Sequence, residues 1–389
     1  MCSRENSALK EIVKWSKEAK LHFNASKSQA LCFHRKHQDV HIVMDGLDIL
    51  ISKSIKILGI HLDNKLNFST HIRETVKKVS LVSHMLMRSL YSKWNYQHIV
   101  GLIYNYIIVP IVTYGAGVWG HIASRKYVIK SLRSIQRKFL LKVIHGFTTT
   151  STNATIFLSK EIPLDLIVYK RRMISNTKRN LSIPGLPIFY IPDNKNHLLI
   201  HPADPYFSSL HNNTGESNRS FLALSHQHDV MADENGYQYF NLKAVKKVIN
   251  LMIHETWKTE FYDSNQGKTT KLFFPTFDHF NTFIKTNQLS SEVTQILTGH
   301  GCSNSYLKWI KVKNHEKCPC GADNQDFFHL IENCPKWIIE RKLLINKLNH
   351  FNLNINEYPK IMINKDMARC FIDFITTIVS NLNSYNQED

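Results

Sequence analysis

The chain has 389 residues, of which 43% are hydrophobic, and it contains only 14 glycines, 11 prolines and 7 cysteines. This composition excludes a collagen-like chain, a disulfide-rich scaffold and a chain that is disordered throughout, and it predicts a globular protein of two or three domains. Lys and Arg outnumber Asp and Glu by 49 to 31, which gives a formal net charge of +18 at pH 7.

The positive charge is confined to the first half of the chain. Residues 1–180 contain 29 Lys and Arg against 10 Asp and Glu, whereas residues 181–389 contain 20 against 21, so the two parts carry +19 and −1. No acidic residue occurs from Thr75 to Lys160. Because a surface built only for solubility mixes both signs, the charge predicts a polyanionic partner. We favour RNA or DNA over an anionic membrane surface.

The first 68 residues predict one helix and a small antiparallel sheet. Residues 7–20 carry apolar side chains at helical spacing, and the runs that follow are rich in Ile, Val, Leu and Phe, as is typical of strands. Asp45-Gly46 is a two-residue hairpin signal, and Lys56 to Leu62 is predicted as one strand. A long helix is expected to begin at Ser69 or Thr70.

No secretory signal is present at the N-terminus, which predicts a location inside the cell. The run from Ile99 to Trp119 is uncharged and long enough to span a bilayer, but Asn105 and Pro110 interrupt it. We therefore expect a buried helix that breaks before Pro110, and no membrane partner.

Residues 124–145 form the clearest helical pattern, with one apolar stripe and a C-terminal stop at Gly146. The stripe consists of Val128, Leu132, Ile135, Phe139 and Val143. The candidate nucleic-acid-binding residues are the cations of the other face: Arg125, Lys126, Lys130, Arg133, Arg137, Lys138 and Lys142. Because no acidic residue is interleaved to form helix ion pairs, we prefer phosphate contact to a merely solvated face.

The second half of the chain begins with an irregular stretch and ends in helices that contain a cysteine-histidine cluster. Residues 181–240 predict a linker or irregular insertion, because prolines fall there among Asn, Ser and His. The cluster consists of Cys318, Cys320, His329 and Cys334. Three thiols and one imidazole are the ligands of a closed structural zinc site, so Zn²⁺ is the predicted cofactor. Cys302, His300 and His315 are substitute ligands, and buried free thiols are the alternative.

No catalytic site follows from the residues alone. Two-metal chemistry needs close carboxylate pairs, and the chain has no Asp-Asp dipeptide and no Gly-rich phosphate loop. Turn formation explains Asp45, Asp48 and Asp63 more simply than metal binding does.

The segment from Lys20 to Phe33, KLHFNASKSQALCF, resembles the part of non-LTR retrotransposon reverse transcriptases that follows the catalytic Asp-Asp motif. The later segments IVPIVTYGAGVW and SLRSIQRKFLLKVIHGFTTTSTNA look like that family's thumb. The segment LTGHGCSNSYLKWIKVKNHEKCPCGADNQDFFHLIENCP resembles the C-terminal cysteine-histidine motif of jockey-like elements and of elements that insert in ribosomal genes. The resemblance covers nearly the whole chain apart from 181–240.

The resemblance implies an α+β architecture in four parts. These are a partial palm with a small antiparallel sheet (1–68), a basic, helical thumb-like region (69–180), the linker (181–240), and a helical domain with a zinc-knuckle-like motif (241–389).

The implied activity is that of an RNA-directed DNA polymerase with RNA and DNA as partners and a nuclear location. Lys27 matches a lysine that is a candidate proton donor to departing pyrophosphate, and the strand containing Gly59 matches the region that grips the primer end.

The family's metal-binding aspartates have no counterpart in this sequence. We therefore expect the C-terminal fragment of a polyprotein, which binds nucleic acid but polymerises nothing alone; Mg²⁺ would be needed only by the intact parent polymerase. The alternative is a host-retained RNA- or DNA-binding module with no enzymatic role.

Overall fold

The computed structural model describes residues 3–33, 41–89, 96–179, 197–200, 230–232 and 238–386. Its described part is mostly helical with small sheets, so the α+β class is confirmed.

The predicted N-terminal helix is α1, Ser3–Glu18. It packs on the strand that begins at Val43, because the Asn6 side chain accepts a hydrogen bond from the Val43 N–H at 3.0 Å and donates one to the His41 carbonyl at 3.1 Å. The largest apolar side chains of the helix do not enter a core. Ile12 and Trp15 are 45% and 56% exposed.

Six short strands follow α1 in the described ranges 19–33 and 41–63. They are β1 (Gln29–Leu31), β2 (Val43–Met44), β3 (Leu47–Asp48), β4 (Leu50–Ser52), β5 (Ser54–Ile57) and β6 (Ile60–Asp63). The single antiparallel sheet that we predicted is wrong: the strands form three separate pairs, and β1 runs parallel to β4. The β2–β3 hairpin turns at Asp45-Gly46 as predicted, with φ of 51° and 82°.

The run from Lys56 to Leu62 is a hairpin rather than one strand. The chain reverses at Leu58-Gly59, where φ is 47° and 86°, and β5 pairs with β6 on either side of this turn. Glycine adopts positive φ without steric cost, which makes Gly59 the natural turn residue. The Tyr114 hydroxyl holds the turn by donating to the Leu58 carbonyl at 2.9 Å.

Seven helices are described in 69–89 and 96–179. They are α2 (Ser69–Ser89), α3 (Tyr96–Ile103), α4 (Val109–Thr113), α5 (Ala116–Trp119), α6 (Lys126–Val143), α7 (Thr152–Leu158) and α8 (Leu164–Thr177). Short 3-10 turns occur at Ala25–Lys27, Gly120–Ile122 and Pro335–Trp337. Helices α2 and α6 lie where the sequence predicts them.

The predicted helix break before Pro110 does not occur. Instead, a π-helical segment, Tyr104–Ile108, joins α3 to α4, and the Val109 N–H donates to the Tyr104 carbonyl five residues back. Proline has no N–H and crowds the preceding turn, and the wider π-turn accommodates it without ending the helix. The chain leaves the helix only at Tyr114.

Among the described residues, no single helix is both long and apolar enough to cross a membrane. The helical stretches 98–113 and 116–122 meet that test only when taken together, and they are bent by 55°.

Within the segment predicted as a linker, three short strands are described: β7 (His197–Ile200), β8 (Val230–Ala232) and β9 (Gln238–Asn241). They form an antiparallel sheet with β9 in the centre. The rest of 181–237 lies outside the described residues.

Nine helices are described between residues 242 and 386. They are α9 (Leu242–Asp263), α10 (Lys268–Phe273), α11 (Phe277–Thr286), α12 (Ser291–Thr298), α13 (Asn304–Trp309), α14 (Phe327–Glu332), α15 (Ile338–Asn349), α16 (Tyr358–Ile363) and α17 (Lys365–Tyr385).

Two hydrophobic cores organise these elements. The first core contains buried side chains of α2 to α8 together with those of α9 from Val245 to Trp257. The second core contains side chains of α10 to α12 and of α14 to α17, and Phe157 of α7. Helix α9 also reaches this second core, because Phe261 near its end stacks on Phe157 with ring centroids 4.1 Å apart.

Candidate nucleic-acid interface and metal centre

Helix α6 buries its apolar stripe as predicted. Val128, Leu132, Ile135 and Phe139 are at most 3% exposed, and Val143 is half-buried against the first core. The opposite face carries the seven candidate cations, and the structure divides them into two groups.

Arg133 is held inside the protein by two carboxylates. Its Nε and Nη2 atoms donate to the two carboxylate oxygens of Asp165 at 2.7 and 2.8 Å, and Nη2 also donates to Glu260 at 2.6 Å. Burial disfavours the charged guanidinium, but these bonds and the attraction of Asp165 and then Glu260 outweigh it, so the pKa of Arg133 is raised. The side chain is 16% exposed and joins α6 to α8 and α9. The Arg133 guanidinium is therefore engaged by Asp165 and Glu260 and does not belong to the exposed cations of this face.

Arg137 is also engaged within the protein. Its guanidinium donates to the Thr148 carbonyl at 2.5 Å and to the Thr150 carbonyl at 2.7 Å, which fastens the loop after α6. Burial lowers the pKa of Arg137.

The other five cations of this face lie at the surface. Arg125, Lys126, Lys130, Lys138 and Lys142 are all exposed. They follow one solvent-facing side of α6 and form what we call the α6 basic surface. This surface has five of the seven cations that the sequence predicts, because Arg133 and Arg137 are engaged within the protein.

A further cationic group lies between α8 and α9 and was missed by sequence reasoning. Burial, and then the charges of Lys170 and Lys258, lower the pKa of His254, so three basic side chains converge there. Lys258 also forms a salt bridge of 2.7 Å with Glu255. The residues come from segments more than eighty positions apart, and the sequence offers no local pattern that would pair them.

Lys27 lies in the 3-10 turn Ala25–Lys27 and is exposed. The Asn24 side chain caps this turn by accepting from the Lys27 N–H at 3.2 Å. Its role as a proton donor stays a prediction.

The structure brings the four predicted metal ligands together. The donor atoms of Cys318, Cys320, His329 and Cys334 all lie within 4.8 Å of one another. The sulfurs of Cys318 and Cys334 are 3.8 Å apart, and Cys320 Sγ is 3.3 Å from His329 Nε2. Two Zn–S bonds of about 2.3 Å at a tetrahedral angle place the sulfurs about 3.8 Å apart, and a sulfur–nitrogen pair about 3.6 Å apart. The donor set fits a tetrahedral zinc ion.

A tight backbone turn brings the two thiols of the short Cys-x-Cys spacing to the same site. The Cys318 N–H donates to the Ala322 carbonyl at 2.8 Å, and Gly321, with φ of 96°, closes the tight turn between them. Asp326 caps α14 by accepting from the His329 N–H at 2.7 Å, so the imidazole stands on the first turn of that helix.

A buried arginine donates hydrogen bonds to the backbone that carries the last two ligands of the cluster. Arg341 of α15 donates to the carbonyls of Ile331, Leu330 and Cys334, at 2.7, 3.2 and 2.6 Å. The Leu330 and Ile331 carbonyls lie in the last turn of α14, and the third carbonyl belongs to Cys334, the last of the thiol residues. Arg341 therefore satisfies acceptors that the end of the helix leaves unpaired.

Burial keeps the Cys334 thiol protonated when no cation is bound. Burial, and the neighbouring Cys318 sulfur, raise the pKa of Cys334 to about 12. A divalent cation supplies the positive charge that keeps buried thiolates ionised.

The substitute ligands proposed from the sequence do not join the cluster. His300 Nδ1 lies 2.9 Å from the Thr149 hydroxyl, and Cys302 and His315 are outside the four-residue group. In the part of the chain that the structure describes, this group is the one cluster of three or more potential ligands.

The chain has relatives among retrotransposon proteins. It is 24% identical over 299 residues to the Retrovirus-related Pol polyprotein from type-1 retrotransposable element R1 of Bradysia coprophila, covering 76% of this chain and 25% of that protein. It is 21% identical over 334 residues to that of element R1 3 of Nasonia vitripennis, covering 82% of this chain and 76% of the relative. It is 28% identical over 145 residues, 36% of this chain and 16% of the relative, to the Probable RNA-directed DNA polymerase from transposon X-element of Drosophila melanogaster. No family model matches, and no solved structure matches with significance.

These relatives confirm the resemblance to the reverse transcriptase region of non-LTR retrotransposons. More particularly, the Bradysia and Nasonia relatives are Pol polyproteins of type-1 elements of the R1 group. The alignment spans only a quarter of the Bradysia protein.

Proposed function

We propose that this chain is the C-terminal, nucleic-acid-binding region of a non-LTR retrotransposon reverse transcriptase. The α6 basic surface carries the proposal. It presents five exposed cations from a stretch of chain that has no acidic residue. The proposed partners are RNA and DNA, contacted through their phosphates without sequence preference.

The metal centre has a structural role in this proposal. Four protein ligands leave no open coordination position, so a zinc ion there stabilises the second core and takes part in no chemistry. Cys318, Cys320, His329 and Cys334 would hold it.

By itself, the chain is proposed to extend no primer, because its sequence contains no Asp-Asp pair to hold catalytic Mg²⁺. Lys27 would donate a proton to pyrophosphate only in an intact polymerase, and the site of action would be the nucleus. Primer extension by the purified chain on an RNA template with Mg²⁺ would refute this part of the proposal.

The test of binding uses two exposed lysines of α6 and a matched pair elsewhere. Neutralising Lys130 and Lys138 to Gln removes two phosphate contacts, whereas the same change at Lys342 and Lys347, exposed on α15, removes two charges from the nearly neutral half. We expect the first variant to bind a mixed-sequence RNA more weakly and to reduce the slope of log K against log salt by about 2.

The α15 variant should bind like the unmodified chain. Equal losses in the two variants would show that only net charge matters, and no loss in either would reject the α6 basic surface as the contact.

A further inference from the structure

An exposed tryptophan stands at the end of α13, outside both the α6 basic surface and the metal cluster. Trp309 is 64% exposed. Its ring packs edge-on against His300 at 5.5 Å between centroids and lies 5.9 Å from the ring of Tyr306. Single exposed apolar side chains are common on protein surfaces, so the groups around the ring decide whether it marks a contact.

The surroundings of Trp309 are basic. Residues 304–317 contain Lys308, Lys311, Lys313 and Lys317 against Glu316 alone. Lys308 is paired with Glu316 at 2.8 Å, whereas Lys311 and Lys317 are exposed and form no ion pair within the described residues. This basic stretch lies in residues 181–389, whose net charge is −1. It is therefore a local concentration of positive charge, separate from the excess of Lys and Arg in residues 1–180.

A cavity of about 320 Å³ opens beside the ring. Its walls include Trp309, His300, Tyr306, Ser305, Asp326 and Phe328. Aromatic rings and a few polar groups around a space of this size are typical of a ligand-binding site.

The aromatic group is rigidly attached to the basic helix. The Thr149 hydroxyl lies 2.9 Å from His300 Nδ1 and 2.5 Å from the Tyr306 hydroxyl, and Thr149 belongs to the loop that Arg137 fastens to α6. Trp309 is therefore held on the same scaffold as the α6 basic surface.

The same helix is also anchored to the metal cluster. Gln325 accepts from the Asn304 N–H at 2.8 Å and donates to Cys318 Sγ at 3.5 Å, and the Asn304 side chain donates to the Lys317 carbonyl at 2.8 Å. The beginning of α13 is thus connected to a proposed zinc ligand through two successive hydrogen bonds.

We propose that Trp309 stacks on an unpaired base of a single-stranded nucleic acid, with Lys311 and Lys317 contacting the adjoining phosphates. The inference rests on the proposed function and adds a second contact to it. An open aromatic ring and unpaired lysines in the same short stretch of chain are the combination that binds single strands, because every base has a face that can stack. Bases in a duplex are already stacked, so the contact should distinguish the two forms.

The experiment compares Trp309→Ala, Trp309→Phe and Trp15→Ala in the full chain. Trp15 is a matched control, since it is 56% exposed but lies on α1 between Glu11 and Glu18. The probes are a labelled 20-nucleotide mixed-sequence RNA and its blunt-ended duplex. Loss of one stacked base corresponds to about 1–3 kcal/mol, so Trp309→Ala should weaken single-strand binding roughly 5- to 150-fold.

Trp309→Phe should retain most of the affinity, Trp15→Ala all of it, and duplex binding should change little in any variant. Because Trp309 is largely exposed, the variants are expected to unfold at the same temperature as the unmodified chain.

The outcomes separate this inference from the proposed function. If the chain binds RNA through the α6 basic surface but Trp309→Ala behaves like Trp15→Ala, stacking is overturned and the proposed function stands. An equal loss on single strand and duplex would also overturn stacking. If the unmodified chain binds neither probe, both proposals fail.

Discussion

The side chains of α6 show how position on one helix decides what a cation does. Arg133 and Lys130 are one turn apart, yet Arg133 faces Asp165 and Glu260 while Lys130 faces solvent. The planar guanidinium matches a carboxylate with two parallel hydrogen bonds, which a lysine ammonium cannot do. Arg133 consequently serves the fold, whereas Lys130 stays exposed at the surface.

Replacing Arg133 should destabilise the protein more than replacing any exposed lysine of α6. Arg133→Ala leaves the Asp165 carboxylate buried, with its side chain 4% exposed and its charge partner gone. Removing one member of a buried ion pair costs about 3–5 kcal/mol. Urea unfolding should show this loss, with Lys130→Ala as the control.

The paired change Arg133→Met with Asp165→Asn should recover part of the stability, because it removes both charges. An Arg133→Ala variant as stable as the unmodified chain would contradict the structural role.

Stability should fall in mild acid because of His71. This side chain is 4% exposed, packs on Trp119 at 5.2 Å, and has a pKa lowered to about 4, by burial first and then by His61. Unfolded histidine titrates near 6.5, so between pH 6.5 and 4 the unfolded state binds more protons and stability is lost as the pH falls. The loss from this group is at most about 3 kcal/mol.

Urea midpoints measured at pH 7 and pH 5 test this. His71→Gln should reduce the pH dependence, and His84→Gln, exposed on the same helix, should leave it unchanged. A dependence unaffected by His71→Gln would place the acid sensitivity elsewhere.

Elements with a long, regular pattern were predictable from the sequence, and short ones were not. Helices α2 and α6 repeat their apolar residues every three or four positions over several turns, and a pattern of this length is typical of a helix and not of a strand or loop. The run from Lys56 to Leu62 has apolar residues throughout, so only the positive φ at Leu58 and Gly59 reveals the reversal. The π-turn before Pro110 depends on packing that no local rule contains.

The candidate sites divide in the same way. Cysteine spacing predicted the metal cluster, since all four ligands lie within seventeen residues of chain. The engagement of Arg133 could not be predicted, because its carboxylate partners lie 32 and 127 positions away. Trp309 was missed because exposure is a property of the folded chain.

The element from Cys318 to Cys334 should bind about one zinc ion per chain and require it for stability. Cys334 and Cys318 are buried next to Trp337 and Tyr385 in the second core, so chelation should lower the unfolding temperature and weaken near-ultraviolet circular dichroism. Elemental analysis of the purified chain gives the metal content.

Cys334→Ser should abolish zinc binding, whereas Cys370→Ser, outside the cluster on α17, should not. Well-folded protein that contains no metal and is indifferent to a chelator would rule the site out.

At the scale of the whole molecule, the two cores are joined by several independent contacts. Helix α9 contributes to both, and Thr294 of the second core donates to the Ile144 carbonyl at the end of α6 at 2.5 Å. The Thr149 hydroxyl adds its contacts with His300 and Tyr306. A basic half and a nearly neutral half therefore form one connected structure.

Because these contacts connect the two cores, heat should unfold both cores together. We expect a single calorimetric transition, with a calorimetric enthalpy equal to the van't Hoff enthalpy. Two resolved transitions, one sensitive to a chelator and the other not, would show that the cores unfold independently.

Helix α9 also sets the order in which this molecule can be made. Buried side chains from Val245 to Trp257 complete a core whose other members end at Met173. A chain synthesised from its N-terminus therefore carries an open apolar groove on α2 to α8 until residue 257 has left the ribosome, more than eighty residues later. During that interval the exposed apolar side chains favour aggregation, and slow codons before α9 would lengthen the exposure.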